Sequence, residues 1–136
     1  PTVENSKNHA IKNHSLKTYG TVQVESGVQD ASSHRLIEML FDGLLTRLAQ
    51  AKGAMKQKDI ELRCKKINEA SSIVIGLRDS LDLKSGGDMA ANLDSLYEYV
   101  LSLLIKANRQ NDPELINECG KLISQISGAW RQIAPE

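Results

Sequence analysis

A helical rhythm repeats four times along this chain, and the links between repeats are too short for consecutive helices to point the same way. Leu36, Ile37, Leu40, Phe41, Leu44, Leu45 and Leu48 recur at spacings of three and four, and Ala51 and Met55 continue that side. Ile60, Cys64, Ile67, Ala70, Val74, Leu77 and Leu81 form a second stripe. A third helix carries Met89, Leu93, Leu96, Tyr97, Val100, Leu101, Leu103, Leu104 and Ile105. Leu115, Cys119, Leu122, Ile123, Ile126 and Trp130 make the fourth. The spacing predicts helices over about 33–57, 60–83, 88–109 and 113–133. Short links make neighbours antiparallel, so the expected fold is all-α: an up-down-up-down four-helix bundle with a short N-terminal capping segment. No segment alternates with strand period for long enough to compete.

Local chemistry marks where each helix should begin and end. Ser32, Asp59, Asp88 and Asp112 are expected caps, because a short oxygen-bearing side chain can accept from the free N–H groups of a first turn. Pro113 suits the first helical position, where its missing N–H costs nothing. Lys84-Ser85-Gly86-Gly87 should stop the second helix, which is expected to reach Leu83. Gly43 and Gly53 lie inside the first pattern and are read as marks of close packing. Residues 1–17 are polar and aperiodic and are read as a flexible tail, with one domain over 18–134.

Composition narrows the function. Seventeen basic and seventeen acidic residues cancel, so electrostatics gives no case for nucleic acid or an anionic membrane as main partner. Aromatic residues make up 4% of the chain, too few for a base-stacking platform. No window approaches the ~18 apolar residues of a membrane span, and the N-terminus lacks a secretory h-region. Cys64 and Cys119 are far apart and read as reduced core residues, so a cytoplasmic location is expected.

Catalytic machinery has no sequence support. There is no histidine after His34, which removes a di-iron bundle site and a zinc site of histidine and cysteine. His34 itself is expected to be a solvated or capping side chain in the first turn. Gly86-Gly87 follows no strand and lacks the Lys-Ser/Thr of a phosphate loop. No plausible base for nucleophilic catalysis stands beside either cysteine in sequence. Asp79, Asp82, Asp88 and Asp94 read as caps and solvated faces, with Asp79 and Asp82 in ordinary surface pairing beside Arg78. Neither enzyme activity nor a cofactor is expected. What is left is the third helix, whose apolar set from Leu93 to Ile105 sweeps roughly 200° at ~100° per residue, about twice a core-facing stripe. Either this helix is the most buried of the four, or its surplus face receives a partner's amphipathic helix.

The residues also resemble a known family, the FliS flagellar export chaperones, from about Tyr19 to Ile133. Tyr19 with Val24 is similar to the family's N-terminal tyrosine and valine. Leu36-Ile37-Glu38-Met39-Leu40-Phe41-Asp42-Gly43 resembles its Leu-Ile-x-Met-Leu-Tyr-Asp-Gly block, with Phe41 replacing the usual tyrosine. Lys66-Ile67-Asn68-Glu69-Ala70, Leu77-Arg78-Asp79-Ser80-Leu81-Asp82 and the run Gly86 to Tyr99 continue the match. Ala107-Asn108, Asn111-Asp112-Pro113-Glu114 and Trp130-Arg131-Gln132-Ile133 complete it. Ser33 stands where the family often has proline.

The resemblance implies a cytoplasmic chaperone that binds the C-terminal segment of unassembled flagellin, prevents premature polymerisation and aids delivery to the type III export apparatus. A component of the export gate is a second implied partner. A helical adaptor for another flagellar export or regulatory protein is the alternative reading, and an unfilled apolar groove also allows a homodimer. The partner-binding residues expected are Ile75, Asn92, Leu93, Tyr97, Leu101, Leu104 and Ile105, with core packing claiming about half of them. Tyr19 and Val24 are expected to cover the same groove when flagellin is absent.

Overall fold

The computed structural model describes residues 32–133. Four helices fill them: α1 (Ser33–Lys56), α2 (Ile60–Asp79), α3 (Gly87–Gln110) and α4 (Pro113–Gln132). No strand is present among the described residues, and the architecture is an all-α four-helix bundle. Each helix packs on two others, α1 on α2 and α4, α3 on α2 and α4, so the bundle closes as a ring. No described helix is long and apolar enough to cross a membrane.

The links explain the tightness of one end. Ser32 Oγ accepts from the Arg35 N–H at 3.1 Å and starts α1. At the other end of α1, Lys58 adopts a left-handed conformation (φ 59), and the Asp59 N–H returns to the Ala54 carbonyl at 2.9 Å. Asp59 then accepts from the Leu62 N–H at 3.1 Å and opens α2 at once. Asn111 repeats the device between α3 and α4, with φ 53, while the Asp112 N–H reaches the Ala107 carbonyl at 3.1 Å. Asp112 accepts from the Glu114 N–H at 3.0 Å, with Pro113 in the first turn.

Between α2 and α3 the sequence expectations need correction. The second helix stops at Asp79 rather than Leu83. Ser80 Oγ donates to the Leu77 carbonyl at 2.6 Å, and Asp82 Oδ1 accepts from the N–H groups of Lys84 and Ser85 at 3.1 and 3.3 Å. These side-chain bonds offer the backbone a turn in place of another helical one. Leu81 still reaches the core from outside the helix. Asp88 does not cap α3 either: Gly86 holds the cap position with no side-chain bond, and Gly87 takes a positive φ of 61°. Asp88 lies in the first turn, where its charge suits the positive end of the helix dipole.

The core runs the length of the ring. Leu40, Phe41 and Leu44 of α1 meet Ile73, Val74 and Leu77 of α2, Val100 and Leu104 of α3, and Ile116, Cys119 and Ile123 of α4. His34 corrects its expected role. It is buried, its Nε2–H donates to the Trp130 carbonyl at 2.8 Å, and the Glu38 carboxylate lies 3.1 Å from Nδ1. Trp130 Nε1–H donates back to the His34 carbonyl at 3.0 Å, and the two rings stack with centroids 4.8 Å apart. This reciprocal tie fastens the start of α1 to the end of α4.

The two glycines of α1 differ. A Cβ on Gly43 would meet Ile73 Cδ1 at 3.8 Å, whereas one on Gly53 would meet nothing within 4 Å. Gly53 therefore marks no close approach, contrary to the expectation. Gly53→Ala should raise stability by about 1 kcal/mol, the helix-propensity difference, as read from urea unfolding. His34→Ala should cost about 1–3 kcal/mol, since it leaves polar groups without their buried partner. His34→Phe, which keeps the stack, should fall between wild type and His34→Ala in the same measurement.

Candidate interaction surface

Helix α3 shows how its wide apolar arc divides. Tyr97 and Leu104, both expected at the partner surface, are buried at 3% and 0% exposure and belong to the core. Burial also pushes the Tyr97 hydroxyl's pKa above its usual value. Leu93 and Leu101 are half-buried against the core edge. Ile105 is 60% exposed, and Ile75 on α2 is 42% exposed. Asn92 is exposed. Tyr19 and Val24 lie outside the described residues.

Two different places collect these side chains. Leu93 and Tyr97 line a cleft at the end of the bundle, together with Ile37, Phe41, Leu77, Met89 and Trp130. The cleft encloses about 400 Å³, its open mouth included. It lies beside the longer link, residues 80–86, whose Ser80 and Leu81 help to line it.

Ile105 lies instead on the outer furrow between α2 and α3, and Ile75, one helical turn beyond the furrow-lining Ser71 and one before Arg78, falls on the same side of α2 by helical spacing. The register of that furrow is set by side chains that cross it. Arg78 Nε donates to Asp94 Oδ1 at 2.7 Å and its Nη2 to Glu98 Oε2 at 3.2 Å. The Arg78 guanidinium holds the Asp94 carboxyl below the usual carboxylate value, and in return its own pKa is raised. At the far end Arg63 Nε donates to Asn108 Oδ1 at 3.0 Å and Nη1 to Asn111 Oδ1 at 3.1 Å. Cys64 Sγ lies 3.6 Å from the same Asn108 oxygen. Nearly equal advances on the two helices, from Arg63 to Arg78 and from Asp94 to Asn108, separate these ties, so α2 and α3 run antiparallel in one register. Ile75 falls one turn inside the first tie and Ile105 one turn inside the second. About 12 Å of helix axis lies between them. Leu101 sits between, half-covered.

The furrow was partly hidden in the sequence. Arg78 reaches across to Asp94 and Glu98, and none of its hydrogen bonds goes to the neighbouring Asp79 and Asp82 that the sequence suggested. Arg63, Asn108 and Arg109 were given no contact across helices, because nothing in their spacing reveals a bond between two helices. Met89, at 50% exposure beside the cleft, did carry a signal as part of the third apolar set.

Reactive chemistry is sparse. Among the described residues no group of three or more histidine, cysteine and acidic side chains converges as a metal site. Both cysteines are free thiols, and burial pushes the Cys119 thiol up to about 12, which keeps it protonated near neutrality.

A protein from Vibrio cholerae named flagellar secretion chaperone FliS is 39% identical over 122 residues, covering 90% of this chain and 90% of its own length. The flagellar secretion chaperone FliSB of Pseudomonas aeruginosa is 43% identical over 119 residues, covering 88% and 94%. The flagellar secretion chaperone FliS of Salmonella typhimurium is 42% identical over 122 residues, covering 89% and 90%. The family profile described as flagellar protein FliS matches residues 15–136, and the chain belongs to the FliS family.

Proposed function

We propose that this chain is a cytoplasmic export chaperone for flagellin. It binds the C-terminal segment of the unassembled subunit, prevents premature polymerisation and aids delivery to the export apparatus. The observation that carries the reading is the exposed pair Ile75 and Ile105 on the α2–α3 furrow, in a chain matched over most of its length by flagellar secretion chaperones.

Physical reasons favour such a client. Two exposed isoleucines about two turns apart match apolar positions about seven residues apart on one face of an amphipathic helix. Each is already partly covered, so burying the exposed remainder is worth about half of the ~1.5–3 kcal/mol of a full isoleucine burial. A client segment that is disordered when free must also be ordered, at about 2–5 kcal/mol, so a long contact is needed for useful affinity. The end cleft offers a second apolar contact for a segment that wraps the bundle.

A peptide from the last ~40 residues of flagellin, a length whose helical portion can span a domain, should bind the full chain saturably and gain helicity. Ile105→Glu should weaken that binding at least about tenfold and leave the unfolding midpoint nearly unchanged, because the side chain is already exposed. Leu104→Glu, one residue away, should unfold the bundle, because a buried charge without a partner is costly. Unchanged peptide affinity in an Ile75→Glu, Ile105→Glu double variant would remove the furrow from the reading. Recovery from cytosol of a different flagellar protein in place of flagellin would replace flagellin as the client. Deleting residues 1–30 should raise peptide affinity if Tyr19 and Val24 compete for the surface, and unchanged affinity would end that idea.

A further inference from the structure

The furrow between α2 and α3 is electrically uneven in a chain whose total charge is zero. At the Ile105 end the lining includes two arginines, Arg63 and Arg109, and no acidic side chain. Among the described residues neither arginine is in an ion pair with an acidic side chain: Arg63 donates from Nε and Nη1 to the amide oxygens of Asn108 and Asn111. Those two bonds fix the guanidinium plane while leaving its charge unspent. At the Ile75 end the opposite holds, since Asp94 and Glu98 share the single Arg78.

We propose, building on the flagellin reading above, that the α2–α3 furrow selects an amphipathic helix with an acidic side chain placed to lie between Arg63 and Arg109, next to the apolar side chain that covers Ile105. The same charge gradient sets the direction of that helix. The negative end of its dipole, the C-terminus, belongs at the arginine end, so the client helix runs parallel to α3. A fixed guanidinium loses little freedom on meeting a carboxylate, which makes Arg63 the better-organised of the two contacts. Arg109 is exposed and adds attraction that salt can screen.

The test is titration of the flagellin C-terminal peptide into the full chain, wild type and Arg109→Gln, at low and at 0.5 M salt. Lys52→Gln on the far side of the ring serves as a control. Arg109→Gln should raise Kd about two- to fivefold at low salt, the range of an exposed ion pair, and high salt should erase most of that difference. Lys52→Gln should bind like wild type. Amide replacement of one peptide carboxylate, C-terminal to its apolar residues, should weaken binding to wild type but add little to Arg109→Gln. Arg63→Lys, which keeps the charge and loses the two-point fixing, should reproduce part of the loss with unchanged helicity. Tight peptide binding that is indifferent to Arg109, Arg63 and salt would overturn this inference and leave the flagellin reading standing. Absence of peptide binding to wild type would overturn both.

Discussion

The brevity of two links governs what the rest of this molecule can be. Residues 57–59 and 111–112 each turn the chain back within a few residues, through a left-handed Lys58 and a left-handed Asn111. With both turns at one end, α1 and α2 must be neighbours, and so must α3 and α4. The remaining choice, whether the ring closes, is made at the opposite end, where His34 and Trp130 exchange hydrogen bonds and stack. Each helix then has two neighbours and one side facing outward. In that arrangement only the outward sides and the ends remain for a partner.

Helix α3 shows what a ring can and cannot cover. Its nine apolar residues outnumber the inward positions of a helix with two neighbours, so some must spill onto the rim. Ile105 and Met89 are the spill, and Leu101 and Leu93 are the boundary. The furrow at Ile105 combines apolar surface with two arginines that no acidic side chain among the described residues neutralises locally. That combination separates a receptor from a patch of uncovered core: apolar area supplies affinity, and the unspent charge supplies orientation.

Much of the fold was legible because its causes are local. Ser32, Asp59 and Asp112 each bond a backbone N–H within three residues, so the sequence alone exposes them. The end of α2 was misread because Ser80 and Asp82 compete with the helix for the same backbone groups, and the hydrophobic period of Leu77 and Leu81 runs straight through. His34 and Trp130 are 96 residues apart, and nothing near either one announces the other. The interaction surface was legible only as a surplus. Which members of the set Leu93 to Ile105 are exposed depends on the rotation of α3 against α2. That rotation is held by the bonds of Arg78 to Asp94 and of Arg63 to Asn108. Periodicity contains no information about such bonds, so Tyr97 and Leu104 could not be separated from Ile105 in advance.

The two cysteines carry a practical consequence. Cys119 is sealed in the core, with its thiol pushed up to about 12, while Cys64 is half-exposed beside Asn108 on the α2–α3 furrow. Nature has thus left a single addressable sulfur at the rim of the furrow and hidden the other. A maleimide dye added to the folded protein would react at Cys64 alone among the described residues, so the wild-type chain carries its own reporter position without any substitution.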